Sequence, residues 1–269
     1  MDVGRGSATL VELPGGKRIL IDGGGPTMGE FDLGRYVLAP FLLRRGIKTI
    51  DLVILTHPHS DHIQGLIFVL DKFDVREIWT NGQMLEDKFS LKFQEVIARK
   101  RIPHRQVSAR TPREIIDGVT LDVLNPAGPF SGITASVDDY ERTNNNSLVV
   151  RISFNDASLL FTGDIMARAE ADILRRGSQI ASRILFVPHH GGRTSGSQAF
   201  LRAVNPELAV ISCGADHSSS LPHPEVLGRH EERGIRVMRT DLDGAITITT
   251  DGKTIKAIGY LGSSSQKAR

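Results

Sequence analysis

Three histidines and one aspartate lie within six positions of the chain, in the stretch His57-Pro-His-Ser-Asp-His62. The apolar run from Leu52 to Leu55 precedes them and contains two β-branched residues, which predicts a short buried strand. Pro58 cannot continue a strand ladder, so the cluster is expected on the turn beyond the strand's carboxyl end. Open α/β sheets bind ligands at that edge. Because imidazole and carboxylate groups together suit zinc, manganese or iron, this stretch predicts a metal site.

Two other predicted strand ends carry groups of the same kind. Asp164 follows the apolar segment that ends in Phe161-Thr-Gly, and the pair His189-His190 follows a strand that breaks at Pro188. Three strands could therefore point ligands at one edge of a sheet. Asp164 could instead cap the helix predicted over residues 167–176, and the histidine pair could belong to a surface loop.

A site for two metal ions accounts for this number of ligands. His57 and His59 would hold the first ion, Asp61 and His62 would hold the second, and Asp164 would give one oxygen to each. Two ions about 3.5–4 Å apart lower the pKa of a bound water toward about 7 and clamp an in-line displacement. In such a site Asp61 is placed to orient the attacking water.

A later histidine is a candidate proton donor to the leaving oxygen. His223 lies in the segment Leu221-Pro-His-Pro224, and it could equally be an ordinary loop histidine. His230, on a polar helix face, is expected to be exposed to solvent.

The rest of the chain supplies the elements that position these groups. Short apolar strands alternate with amphipathic helices, and no linker or low-complexity segment divides the chain. We therefore expect a single α/β domain over residues 1–262, followed by a disordered tail at 263–269. The polar stretch 128–146 is predicted to be a loop that faces the substrate. Pro40 should kink or interrupt a helix predicted over 33–45.

Composition sets bounds on function without selecting one. The chain has 269 residues, 40% of them hydrophobic and 24% charged, and a formal net charge of only +2, so charge alone does not indicate a nucleic-acid partner. A single cysteine, Cys213, excludes internal disulfides. One tryptophan and three tyrosines give little indication of a base-stacking surface. No run approaches the roughly 18 apolar residues of a membrane span, and no signal peptide is visible.

The stretch His57–His62 resembles the signature of the metallo-β-lactamase fold superfamily, and further segments narrow the resemblance to the C-terminal domain of ComEC competence proteins. These segments occur in family order: Asp2-Val-Gly-Arg-Gly-Ser7, Ile21-Asp-Gly-Gly24, Asn144-Asn-Asn-Ser-Leu-Val149, Thr162-Gly-Asp164, Val187-Pro-His-His-Gly191 and His223-Pro224. The resemblance covers nearly the whole chain, and it implies an αββα sandwich with two divalent ions, zinc or manganese.

The resemblance also implies roles for individual residues. His190 would be the ligand that completes the second ion, and His189 would face the substrate or stand behind the ligands. Asp22, which could otherwise be a simple turn former, would orient a metal-binding histidine. Asp2 of the opening motif and Arg193, which lies beside the proposed ligands in the sequence, would lie behind the ligands or contact the substrate.

The sequence departs from the family pattern in two places. Many relatives have another histidine between the first motif and the bridging aspartate, but His104 is the only one there and its setting is typical of an exposed loop. Asn146 is the candidate to face the first ion instead, which would favour manganese over zinc. Arg5 and Ser7 replace the usual glutamine and aspartate of the opening motif, which affects contacts to the substrate.

The predicted function is that of a metal-dependent hydrolase, and specifically a phosphodiesterase or nuclease that acts on DNA during natural competence. If the chain is an excised domain, a membrane channel domain of the same protein would be its partner, and it would lie on the extracytoplasmic side of a bacterial membrane. The alternatives are an esterase or lactonase, a phosphorylcholine esterase, and a DNA-guiding module without catalysis.

Overall fold

The computed structural model describes residues 1–25, 31–130, 139–215 and 221–262. The tail predicted to be disordered, 263–269, lies outside these residues, as does the middle of the predicted loop, 131–138.

The first half of the chain forms a five-stranded sheet. The strands of this half are β1 (Thr9–Glu12), β2 (Arg18–Ile21), β3 (Thr49–Ile50), β4 (Leu52–Leu55), β5 (Asp74–Val75), β6 (Ile78–Thr80) and β7 (His104–Gln106). The short strands β3 and β5 pair only with each other, and the other five form the sheet. The order in the sheet is β1-β2-β4-β6-β7, antiparallel only between β1 and β2.

The second half forms a seven-stranded sheet and a separate hairpin. The strands are β8 (Glu114–Ile116), β9 (Val119–Asn125), β10 (Val149–Phe154), β11 (Ala157–Phe161), β12 (Ile184–Phe186), β13 (Leu208–Ile211), β14 (Arg236–Arg239), β15 (Ile246–Thr250) and β16 (Ile255–Gly259). The sheet order is β14-β13-β12-β11-β10-β9-β8, with β11 to β14 parallel, while β15 and β16 pair with each other.

Helices cover the outer faces of both sheets. They are α1 (Ala39–Arg44), α2 (Ser60–Lys72), α3 (Lys88–Lys100), α4 (Tyr140–Asn145), α5 (Ala167–Arg175), α6 (Gln198–Val204), α7 (Pro224–Glu231) and α8 (Thr240–Asp243). A π-helical turn over Gly34–Leu38 runs into α1 just before Pro40. The helix predicted over 33–45 is therefore interrupted where proline lacks a backbone N–H.

Three apolar clusters fix the order of the layers, because strand side chains alternate between the two faces of a sheet. Leu20 of β2 packs with α2 and α3 in an outer cluster, whereas its neighbours Ile19 and Ile21 pack between the two sheets. Leu185 of β12 packs with α5 and α6 on the far side of the second sheet. The layers run helix, sheet, sheet, helix, and the predicted αββα sandwich is confirmed.

The parallel strands carry the site. β4 leads into the turn with His57, β11 leads into Asp164, and β12 leads into His190. Within each sheet these neighbours run in the same direction, so their carboxyl ends meet at one edge, where ligands are expected.

A close backbone approach holds α2 against the end of β2. A Cβ built on Gly65 would lie 2.0 Å from the carbonyl oxygen of Gly23, and Gly23 N donates a hydrogen bond of 2.8 Å to His62 O. The approach brings Asp22, which follows β2, beside His62 on α2.

Replacing Gly65 by alanine should therefore destabilise the protein. Alanine favours a helix by about 1 kcal/mol over glycine, but forcing a methyl group into a packed contact costs roughly 1–3 kcal/mol. Gly228 is the matched control, since it lies in α7 and a Cβ there meets nothing within 4 Å. Denaturant unfolding should show Gly65→Ala less stable and Gly228→Ala more stable than the wild type. Stabilisation by both substitutions would contradict the close approach.

Candidate metal centre

Two carboxylates and two imidazoles form the centre of the site. One ligand atom from each of Asp61, His62, Asp164 and His190 lies within 4.8 Å of all the others. Oδ1 of Asp164 is 3.3 Å from Nε2 of His62, and its Oδ2 is 3.5 Å from Nε2 of His190. The same His190 nitrogen is 3.5 Å from Oδ2 of Asp61.

A second pair of histidines borders this group. Nε2 of His57 lies 3.9 Å from Oδ2 of Asp164 and 3.0 Å from Nδ1 of His59. Two ring nitrogens that face each other at this distance need a proton or a cation between them. Oδ2 of Asp164 therefore faces both His57 and His190, while its Oδ1 faces His62.

Hydrogen bonds at the back of the rings fix which nitrogen points inward. Nδ1–H of His62 donates to Oδ2 of Asp22 at 2.8 Å. Asp22 also accepts from Thr56, through its backbone N–H and its hydroxyl, both at 2.8 Å. Because the single hydroxyl proton of Thr56 is used for Asp22, His57 must donate its Nδ1–H to Thr56 Oγ1, 3.1 Å away. Both rings are thus left with Nε2 facing the site.

His190 is oriented in the same way by the main chain. Its Nδ1–H donates to the carbonyl oxygen of Ser212 at 2.9 Å, just after β13. The Nε2 atoms of His62 and His190 are buried, and neither has a hydrogen-bond partner among the described residues. Inward-facing, buried imidazole nitrogens beside two carboxylates fit divalent metal ions, which take nitrogen and oxygen ligands of this kind.

Electrostatics agree with this donor set. Burial alone would lower the pKa of His62 and His190, but the charge of Asp164 outweighs it, raising the pKa of His62 well above its usual range and that of His190 to about 10. Burial would raise the pKa of Asp164 and Asp61, yet the two imidazoles hold both pKa values below their usual range. Without metal, protons on His62 and His190 balance the carboxylates.

His57 behaves differently, because burial and the neighbouring positive charge of His62 lower its pKa well below the usual range. Burial also lowers the pKa of His59. Both rings are therefore neutral at pH 7 and available as ligands.

A strained turn directs the histidine pair after β12. His189 and His190 both adopt left-handed backbone conformations, with φ of 53° and 52°, and Gly191 follows at φ 78°. Such conformations are uncommon for non-glycine residues and occur where surrounding contacts enforce them. The backbone N–H of His189 donates to Gly163 O at 3.2 Å, which joins this turn to the turn before Asp164.

His189 points to the mouth of the site. Its Nε2 lies 2.9 Å from the hydroxyl of Tyr140, whose ring also stacks on His59 with centroids 4.8 Å apart. Tyr140 is 49% exposed, and His59 and Asp61 are partly exposed, whereas the other proposed ligands are buried. Solvent and substrate therefore reach the site on this side.

Three other predicted residues lie at the margin. Nδ1 of His223 accepts a hydrogen bond from the backbone N–H of Glu225 at 3.2 Å and so caps α7. The backbone N–H of His223 donates to Gly191 O at 2.9 Å. Arg193 forms an ion pair of 3.2 Å with Glu225 at the surface. Asp2 is exposed and accepts a hydrogen bond from its neighbour Gly4.

Asn146 forms hydrogen bonds with two residues that are not proposed ligands. Its side-chain amide lies 3.4 Å from Oε1 of Gln83, and its carbonyl oxygen accepts from Asn81 at 2.8 Å. The asparagine next to the site is Asn144, which is buried and influences the pKa values of His59 and Tyr140. The family segment Asn144 to Val149 predicted an asparagine near the first ion, but it did not indicate which of the three asparagines this is.

Two other expectations are wrong. The stretch 128–146 was expected to be a loop, but its described part contains α4, whose residues Tyr140 and Asn144 border the site. His230 was expected to be exposed, yet it is fully buried, with its Nδ1–H donating to Val226 O at 2.7 Å.

The alternative role of Asp164, as the cap of α5, is filled by Asn145 instead. Asn145 accepts hydrogen bonds from the backbone N–H groups of Met166 and Ala169 at the start of that helix.

Metal binding should release protons, and its affinity should rise with pH. Because the pKa values of His62 and His190 are raised in the metal-free protein, both rings are protonated at pH 7 and a metal must displace those protons. Each proton released strengthens apparent binding by about tenfold per pH unit. Titration calorimetry of metal-free protein in two buffers of different ionisation enthalpy should show this release. Affinity that does not change between pH 6 and 8 would contradict it, and His104→Ala, outside the site, should not alter the release.

Comparisons with known proteins identify the family of the chain. A family model described as the metallo-beta-lactamase superfamily matches residues 1–215. ComE operon protein 3 of Bacillus subtilis (strain 168) is 30% identical over 257 residues, which are 91% of this chain and 32% of that protein. Competence protein ComA of Neisseria gonorrhoeae is 29% identical, over 95% of this chain and 32% of its own length. The chain thus spans about a third of the length of these relatives.

Among solved structures, Igni18, a metallo hydrolase from the archaeon Ignicoccus hospitalis, has a TM-score of 0.55 at 15% identity, covering 96% of this chain and 97% of its own. A likeness at this identity shows the fold alone. In the parts of the chain that the structure describes, no helix combines the length and apolarity needed to cross a membrane. Both the family model and the competence relatives confirm the predicted resemblance. The chain belongs to the metallo-β-lactamase superfamily.

Proposed function

We propose that this chain is a metal-dependent phosphodiesterase that hydrolyses DNA as one domain of a competence protein. The observation that carries the proposal is the position of Asp164, whose Oδ2 lies 3.9 Å from Nε2 of His57 and 3.5 Å from Nε2 of His190, while its Oδ1 lies 3.3 Å from Nε2 of His62. A carboxylate in this position suits a site for two ions, which is the arrangement that many phosphodiester-cleaving enzymes use.

In this proposal His57 and His59 would hold one ion, Asp61, His62 and His190 would hold a second, and Asp164 would serve both. Divalent ions at such a site neutralise charge on a phosphoryl group and lower the pKa of bound water.

Residues on the open side of the site would handle the substrate. Asp61 keeps its negative charge at neutral pH because His190 and His62 lower its pKa, so it can accept a hydrogen bond from an attacking water. Burial raises the pKa of Tyr140, so its hydroxyl keeps its one proton, which can be donated either to His189 or to a leaving oxygen. Burial lowers the pKa of His189, which is then neutral and can accept the hydrogen bond from Tyr140.

His223 stays a second candidate for the proton donor. Its Nδ1 is used by the cap of α7, so only Nε2 could reach a substrate. Its contact with Gly191 keeps it next to the turn that carries His190.

The charge near the mouth supports an anionic substrate. Arg5 is half-buried, makes no ion pair with any described residue, and lies close enough for its charge to act on the Tyr140 hydroxyl. The neighbouring residues hold it at the site, since Ser7 N donates to Asp61 O at 3.2 Å. Arg193 has its charge largely balanced by Glu225. We therefore propose Arg5, rather than Arg193, as the principal contact to a phosphate.

The choice of DNA rests on the relatives. One of them is named a competence protein, and competence is the process by which cells take up DNA; the chain corresponds to about a third of that protein and of ComE operon protein 3. A membrane channel elsewhere in such a protein would be the partner of this domain, which would then work on the outer side of the membrane. An esterase, a lactonase, a phosphorylcholine esterase or a non-catalytic DNA-guiding module remain the alternatives to test.

Cleavage assays on metal-free protein test the proposal. Mn²⁺, Zn²⁺ or Mg²⁺ would be restored separately, and single- and double-stranded DNA would be offered beside a thioester, a lactone and a phosphorylcholine ester. We expect metal-dependent DNA cleavage that falls by about 10²–10⁴-fold in Asp61→Ala.

Asp156→Ala is the matched control, since Asp156 is an exposed turn residue between β10 and β11. It should cleave like the wild type. Hydrolysis of only the small esters would replace the proposal with an esterase. DNA binding without cleavage by any metal-loaded form would instead favour the guiding module.

A further inference from the structure

Three consecutive asparagines lie at the end of α4, and two of them have structural partners. Asn145 accepts hydrogen bonds through Oδ1 from Met166 N at 3.1 Å and Ala169 N at 3.2 Å, which caps α5. Asn146 contacts Gln83 through its side-chain amide. Hydrogen bonds within the chain therefore account for the side chains of Asn145 and Asn146.

Asn144 has no such partner. Its side chain is fully buried, and neither Oδ1 nor Nδ2 makes a hydrogen bond within the described chain. Buried polar groups in folded proteins are nearly always paired, and an unpaired one calls for a bound water, ion or ligand. An amide with both ends unsatisfied therefore marks a place where something binds.

The surroundings of Asn144 identify that place as the first ion position. Tyr140, one helical turn earlier on α4, stacks on His59 with the ring planes only 16° apart. Asn144 acts on the pKa values of both His59 and Tyr140, although neither contact has hydrogen-bond geometry. The unpaired amide and the His59 ring are thus neighbours on the same side of the site.

That position also lacks a ligand. The second position has three residues of its own, Asp61, His62 and His190, besides the shared Asp164. The first has only His57 and His59 besides Asp164. Metal ions at protein sites of this kind take at least four ligands in all, and an additional protein oxygen would strengthen the weaker position.

We propose that the amide oxygen of Asn144 is a ligand of the first metal ion. An amide oxygen is a harder donor than an imidazole, so this position favours Mn²⁺ over Zn²⁺ relative to a site with a third histidine. The inference rests on the two-ion site of the proposed function, and it adds a ligand and a metal preference to it.

Metal binding, measured without any substrate, tests the inference. Titration calorimetry and Mn²⁺ electron paramagnetic resonance would give the number of ions and their affinities for the wild type and for substitutions at Asn144. We expect the wild type to bind two Mn²⁺ and Asn144→Ala to bind the first one at least about tenfold more weakly. Asn144→Asp, which keeps an oxygen in place, should retain both ions.

Asn144→His provides a test that predicts a gain of metal affinity instead of a loss. A third imidazole should raise Zn²⁺ affinity at the first position by at least about tenfold while Mn²⁺ gains less. Asn146→Ala is the matched control and should bind both ions as the wild type does. Because the aspartate and histidine variants retain a ligand, they keep the test decisive if Asn144→Ala fails to fold.

Three results would overturn the inference: unchanged Mn²⁺ binding in Asn144→Ala, loss of an ion in Asn146→Ala instead, or binding of a single ion by the wild type that substitution of Asn144 does not affect. If the binding data come out as expected but DNA is not cleaved, the nuclease proposal fails while the ligand assignment stands.

Discussion

The site depends on placing two negative carboxylates, Asp61 and Asp164, among imidazoles at the edge where the two sheets meet. Isolated buried charges are very unfavourable, so these carboxylates need positive partners nearby. In the metal-free protein the partners are protons on His62 and His190, whose pKa values are raised for that reason. Divalent ions, which bind the same nitrogen and oxygen donors, can take the place of those protons.

Most of the surrounding contacts fix the positions of these charged side chains. Asp22 and Thr56 form one hydrogen-bonded unit behind two of the histidines, and the carbonyl of Ser212 holds a third. The close contact of Gly65 with the end of β2 places that unit, and the left-handed turn after β12 aims the histidine pair. Asp22, Thr56 and Ser212 are not proposed ligands, yet their hydrogen bonds decide which ring nitrogen is available to a metal.

The sequence predicted the parts of this arrangement that depend on local pattern. Apolar strands followed by breakers located the clusters at His57–His62, Asp164 and His189-His190, and strands interspersed with helices predicted an α/β domain, whose αββα layers the family resemblance implied. The sequence did not predict which asparagine lies beside His59 and Tyr140, because the three are chemically identical and only the path of α4 distinguishes them. Tyr140 was missed as well, since its stacking on His59 joins residues far apart in the chain. The burial of His230 depends in the same way on helix packing.

The central claim is that two metal ions share Asp164. Anomalous diffraction from crystals grown with Mn²⁺ would test it most directly, because the anomalous peaks locate each ion without reference to activity. The account predicts two peaks, one beside His57 and His59 and the other beside Asp61, His62 and His190, with Asp164 between them. A single peak, or two peaks of which neither contacts Asp164, would contradict it.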